Sequence, residues 1–205
     1  MDAIETLMNE HRTIERAIDA LVSFADEVRR KTNDDRADKV ELGRFVTFIR
    51  EFADACHHGK EEDILFAAMV EAGFSRQSGP IAVMLMEHDL GRTHVRALAG
   101  LSAQEAAWSV EDRQRLGEAA HGYADLLRAH IHKEDAILYP MAEQRLPPEA
   151  LRRVSADCDA YEAKKMGSGE HERLHGLAEE LVARHAPLSR DDAPRRDASS
   201  LGGCC

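Results

Sequence analysis

The chain has 205 residues, of which 32% are charged, 43% hydrophobic and only 5% aromatic, and it carries a formal net charge of −11. That length suits one domain with a full core and is short for two large ones; the acidic balance argues against a nucleic-acid partner and against an anionic membrane surface, because both need a basic face. Asp2, Glu5 and Glu10 follow Met1 at once and no stretch approaches the roughly 18 apolar residues of a membrane span, so neither signal peptide nor anchor is expected and the expected compartment is the cytoplasm.

Glycine and proline are scarce in the long periodic segments, so helices are predicted throughout. The first spans about residues 2–30, with Ile4, Leu7, Met8, His11, Ile14, Ile18, Leu21 and Val22 at spacings of three and four, and Asn33-Asp34-Asp35 breaks it. A second runs from about Asp38 to Ala72, with Phe45, Phe48, Ile49, Phe52 and Cys56 on its apolar side, and Gly73 stops it. Pro80 opens a third that ends near Gly100, and Ser102-Ala103-Gln104-Glu105 has the form of a capping box for a short extension. Ser109 with Asp112 starts a fourth, which runs to about Gln144 and is ended by Pro147-Pro148. Residues 148–163 and 170–185 follow as two short helices joined by Gly167-Ser168-Gly169, and the polar tail from Pro187 is expected to be disordered. No strand pattern occurs. Short loops between long helices make neighbours antiparallel, so the expected fold class is all-α: an up-down-up-down four-helix bundle over 1–146, a helical extension over 147–186 and a tail over 187–205.

One pattern occurs twice. His57-His58-Gly59-Lys60-Glu61-Glu62-Asp63-Ile64-Leu65-Phe66 aligns with His130-Ile131-His132-Lys133-Glu134-Asp135-Ala136-Ile137-Leu138-Tyr139, as His-x-x-Lys-Glu-acid-x-Ile-Leu-aromatic. Upstream of each copy stands a Glu-His pair, Glu10-His11 and Glu87-His88. Residues i and i+4 share a helix face, so His57 points with Glu61 and His130 with Glu134. In the alternating bundle, at a rise of about 1.5 Å per residue, His11 and His88 lie roughly 12–14 Å from the starts of their helices, and the two His-x3-Glu pairs roughly 15–24 Å from the ends of theirs. His11, His57, Glu61, His88, His130 and Glu134 therefore fall in one layer. Imidazole and carboxylate suit iron, manganese or zinc rather than calcium. Two bridging glutamates and two histidines per ion give four protein ligands each; a bridging solvent oxygen makes five, and one position stays open for a small molecule.

The chain resembles the haemerythrin-like (HHE cation-binding) family over about residues 1–146. The resemblance implies a four-helix bundle with two iron ions, oxo- or hydroxo-bridged, His11, His57, His88 and His130 as terminal ligands, and Glu61 and Glu134 as bridges. Oxygen carriers of that family have a further histidine four residues after the third ligand; here that residue is Arg92. They also have His-x4-Asp where this chain has His130-x3-Glu134. The pattern is closer to bacterial relatives linked to iron-centre repair, nitric oxide and oxidative stress, although the cysteine-bearing N-terminal domain of the repair proteins does not accompany it. The implied function is binding of, or reaction with, dioxygen, nitric oxide or peroxide, in sensing or stress handling. The sequence leaves open a peroxide-decomposing or nitric-oxide-reducing enzyme, and an iron-storage, iron-supply or sensor module with an unidentified protein partner.

Other residues carry milder expectations. His58 and Glu62 form a shifted His-x3-Glu, but the repeat favours His57 and Glu61, which leaves His58 and His132 outside the ligand set. Glu15 is expected in solvent or behind the ligands, Tyr123 in the core, and His94 and His121 as ordinary helix residues. His171-Glu172-Arg173-Leu174-His175 matches the HExxH of zinc peptidases, a remote hydrolase alternative; the expected role of that helix is to cap the bundle. The cysteines, Cys56, Cys158, Cys204 and Cys205, form no disulfide framework; Cys56 is expected as a small buried hydrophobe.

Overall fold

The computed structural model describes residues 2–31, 36–167 and 169–185; the Asn33–Asp35 break, the tail and Cys204-Cys205 lie outside them. The described residues are all helical, without strands, in six rods: α1 (Ala3–Arg30), α2 (36–71), α3 (Gly79–Ser102), α4 (110–145), α5 (Pro148–Lys165) and α6 (Glu170–His185). None of these helices is long and apolar enough to cross a membrane.

The ends are set by local chemistry. Asp2 caps α1 by accepting from the Glu5 amide at 2.9 Å. Gly73 leaves α2 at φ +98°, a backbone that disfavours any side chain with a Cβ. Ser109 and Asp112 form the predicted capping box of α4. The Ser102 box does not form: Ser102 ends α3, its hydroxyl donates to the Ala99 carbonyl, and the Trp108 indole donates to the Leu101 carbonyl instead.

Two apolar clusters sit above and below a polar layer. One gathers Ile14 to Val28 of α1, Leu42 to Ala53 of α2, Val95 to Leu101 of α3, Leu116 to Ile131 of α4, and Leu174, Ala178 and Leu181 of α6. The other gathers Ala3 to Leu7, Leu65 to Met69, Ile81 and Met84, Leu138 to Leu146, and Val154 and Cys158 of α5. The candidate metal ligands of α1 to α4 fall between them. Both C-terminal helices thus contribute to the apolar packing of the whole fold. Gly59 is where α5 docks on α2: a Cβ there would collide with the Tyr161 hydroxyl, which donates to the Ala55 carbonyl.

The rods α2 and α4 are not uniform α-helix. Ile49–His58, Glu61–Leu65 and Glu134–Leu138 are π-helical, with i→i+5 hydrogen bonds. The two repeat copies carry the same bond: the Phe66 amide donates to the Glu61 carbonyl, and the Tyr139 amide to the Glu134 carbonyl. Wide turns of this kind concentrate where side chains are re-aimed for function. Pro140, which would disrupt an α-helical interior, stands two residues after one of them ends.

Candidate metal centre

The polar layer brings all six sequence-predicted residues together. His11, His57, Glu61 and Glu134 offer ligand atoms within 4.8 Å of one another, and so do His58, Glu61, His88 and His130; Glu61 belongs to both groups. Glu134 also spans them, with its Oε2 3.3 Å from His11 Nε2 and 3.2 Å from His130 Nε2. His88 Nε2 lies 3.5 Å from Glu61 Oε2 and 3.0 Å from His130 Nε2. All of these side chains are buried.

His58 departs from expectation. It is 5% exposed and stacks on His88 with ring centroids 3.8 Å apart. Helical spacing makes the shifted register an alternative to His57, but both histidines enter the layer, because the π-helical turn around them turns two consecutive side chains inward. Glu62 stays outside it. The third imidazole of this half therefore comes from α2. Arg92, at the position of the carriers' extra histidine, pairs with Asp54 and Glu62 at 2.7 and 2.8 Å.

Every imidazole in the layer has a carboxylate at Nδ1. His11 pairs with Asp135 at 2.7 Å, His57 with Glu10 at 2.8 Å, His58 with Asp54 at 3.3 Å, His88 with Glu62 at 2.7 Å and His130 with Glu87 at 2.9 Å. Such partners fix ring orientation and tautomer in metal sites. They also account for the rest of the repeat. The glutamate before each upstream histidine holds the histidine of a His-x3-Glu pair, and the acid after each layer glutamate holds an upstream histidine. The two repeat lysines, Lys60 and Lys133, pair with Glu10 and Glu87. Spacing alone assigns these residues no role.

The electrostatics suit cation binding. Glu61 Oε2 and both oxygens of Glu134 are buried without a hydrogen-bond partner, a costly state that a cation would relieve. Burial and the charge of Glu134 push the Glu61 carboxyl well above its ordinary value; burial acts on Glu134 too, but His130 and His11 draw it down. Burial lowers His57, His58 and His88 to about 4, so they are neutral and able to ligate at pH 7. His130 is lifted against burial to about 9 by Glu134 and Glu87. The Tyr139 hydroxyl donates to Glu61 Oε1 at 2.6 Å and lies 3.4 Å from His11 Nε2.

The remaining residues sort plainly. Tyr123 is a buried core residue and lines a cleft of about 190 Å³ with Asp54, His58 and Arg92. His132 is exposed, Glu15 pairs with Arg12, and His121 with Asp26. His171 faces Glu10 while His175 faces Glu179, and no metal-capable group among the described residues contains both. Cys56 is buried, and its thiol is pushed up to about 12 by that burial.

This fold and donor set are those of a helical cation-binding domain. The profile of the hemerythrin HHE cation binding domain matches residues 2–142, and the chain belongs to that family. It is similar to uncharacterised proteins of Mycobacterium tuberculosis and Mycobacterium bovis, at 23% identity over 165 residues, which is 80% of this chain and 63% of each relative. It is also similar to a probable iron-sulfur cluster repair protein of Haemophilus influenzae, at 29% identity over 135 residues, 64% of this chain and 58% of that protein. The chain thus spans less than two thirds of the length of these relatives.

Proposed function

We propose that residues 1–146 form an up-down-up-down four-helix bundle around a carboxylate-bridged pair of iron ions, and that the protein binds or reacts with dioxygen, nitric oxide or peroxide in oxidative or nitrosative stress in the cytoplasm. The order in which α1 to α4 pass the two apolar clusters supports the alternating topology. The observation that carries the metal reading is the trio of buried, partnerless carboxylate oxygens faced by imidazole Nε2 atoms. Glu61 and Glu134 would bridge, His11 and His57 would hold one ion, and His58, His88 and His130 the other. An iron pair supplies electrons and an open coordination position. The chain does the rest: five carboxylates orient the imidazoles, the two apolar clusters exclude water, and Tyr139 holds a proton 2.6 Å from Glu61. The Haemophilus relative's name, a probable iron-sulfur cluster repair protein, is consistent with a role in iron chemistry.

The test is metal content per chain, with an ultraviolet–visible spectrum, for wild type and for Glu61→Ala combined with Glu134→Ala. Two irons with the absorption of a bridged pair, both lost in the double variant, are expected. A single zinc indifferent to those substitutions would overturn the reading.

A further inference from the structure

The HExxH stretch is the sequence feature that the metal pair leaves unused, and the structure gives its first histidine a place. His171 stands in the first turn of α6 with its side chain 28% exposed. Its Nε2 is buried, has no hydrogen-bond partner and points at Glu10 Oε1, 3.6 Å away. Its ring rests on Phe52, with centroids 5.2 Å apart. Glu10 in turn accepts from His57 Nδ1 through its other oxygen and pairs with Lys60. Lys60 donates to Glu162 of α5 at 3.2 Å, and Cys56 Sγ lies 4.0 Å from the same carboxylate. Helices α5 and α6 thus close over the carboxylate that orients His57.

Among the described residues the other half of the repeat has no such cover. Glu87 accepts from His130 Nδ1 and pairs with Lys133, just as Glu10 does with His57 and Lys60. Yet the Lys133 side chain is 34% exposed and that of Lys60 only 2%. Neither Glu87 nor Lys133 has an ion pair with α5 or α6 among the described residues. Glu10, Glu162 and His171 lie close enough to hold a cation themselves, but the Lys60 ammonium already occupies that place. A strut is therefore favoured over a third metal site.

We propose that His171 is a positioning residue: together with Glu162 it fixes Glu10 and Lys60, so that the C-terminal helices set the affinity of the metal position on the His11–His57 side and leave the His58–His88–His130 side unchanged. This rests on the two-metal reading above. The consequence is a site whose halves are alike in the repeat but differ in their dependence on the C-terminal helices. Undocking α6 would loosen one ion and spare the other.

The experiment uses the full chain loaded with ferrous iron under anaerobic conditions, with stepwise removal by a chelator and iron counted per chain. The thermal midpoint of the metal-free protein is recorded for every variant. His171→Ala is expected to weaken one of the two irons about 10- to 100-fold, the usual effect of losing an outer partner. His171→Gln, whose amide can face Glu10 from the same place, restores most of that loss. Glu162→Gln, on a partly exposed carboxylate, gives the same one-iron effect if His171→Ala disturbs the fold. Glu87→Gln weakens the other iron, and combining it with His171→Ala weakens both. Equal weakening of both irons by His171→Ala or Glu162→Gln, or no weakening at an unchanged metal-free midpoint, overturns the proposal. A wild type that takes up no pair of metals refutes the two-metal reading instead.

Discussion

Replacing Glu61 by glutamine is expected to have opposite effects on the metal-free and metal-loaded protein. Without a cation, Glu61 Oε2 and both Glu134 oxygens are buried and partnerless. A glutamine at position 61 keeps an oxygen to accept from Tyr139 and turns an amide donor toward Glu134. Leaving a buried polar group unpaired costs about 1–3 kcal/mol, so where Glu61 is ionised the glutamine's donor stabilises the metal-free fold by up to about that amount. For a chain of this size that raises the melting midpoint by roughly 2–4 °C per kcal/mol. The gain depends on pH. Burial and the charge of Glu134 raise the Glu61 carboxyl above its unfolded value of 4.5. A carboxyl raised on folding stabilises fully below its unfolded value, and that contribution is lost as pH rises through the folded one. The glutamine has no such loss, so its advantage grows from about pH 4.5 upward. In the loaded protein the same substitution removes a bridging carboxylate and weakens metal binding. The assay is differential scanning fluorimetry across pH, with and without iron. A metal-free variant that melts lower than wild type at every pH would refute the idea that these oxygens are stranded without a cation.

Metal binding near pH 7 is expected to release protons, because His130, raised to about 9, must be neutral to ligate; calorimetry in buffers of different ionisation enthalpy measures the number released. His57, His58 and His88, lowered to about 4, add nothing to that release at pH 7, so moving the titration from pH 7 to pH 6 should not recruit them. The two repeat lysines are expected to differ in chemical denaturation. Lys60→Met strips a buried partner from Glu10 and costs about 3–5 kcal/mol, whereas Lys133→Met acts on a partly exposed pair and costs at most about 1 kcal/mol. Leu174→Ala, in the fully buried face of α6, is expected to cost about 2–5 kcal/mol; a neutral result would show that α6 is not part of the cooperative unit.

The helices were legible because the apolar spacings that announce them are the same contacts that bury them. The six predicted residues converge because the repeat fixed both their faces and their levels. His58 was missed for a definite reason. Periodicity at 3.6 residues per turn makes His57 and His58 compete for one face, and nothing in the residue types announces a π turn that admits both. Four of the five carboxylate partners, Glu10, Glu62, Glu87 and Asp135, stand in the repeat and its upstream pairs, and the fifth, Asp54, lies outside it. Pairing each upstream glutamate with the histidine of its own copy, and each trailing acid with the upstream histidine of the other, assigns them. The tyrosine at the site is Tyr139, and the aromatic position closing each repeat is the signal for it. The role of α6 in the core could have been read from Leu174, Ala178 and Leu181, spaced at four and three.

Where the repeat departs from itself, the two halves acquire different chemistry. Position 58 is histidine and its counterpart Ile131 is not; position 139 is tyrosine and its counterpart is Phe66. On the His58 side, three imidazoles crowd together, Phe66 lies over His88 with centroids 6.1 Å apart, and the outer cleft ends against His58 and Arg92. On the His11 side, two imidazoles stand with a hydroxyl 3.4 Å from His11 Nε2, and the C-terminal helices close the back. On the reading proposed above, the side with fewer imidazoles has the coordination room, and the Tyr139 hydroxyl faces the ligand atoms there. A small oxidant is therefore expected on the His11–His57 side. Tyr139→Phe should then alter how such a ligand is held while leaving metal content at two, whereas Phe66→Tyr, its mirror image, should not.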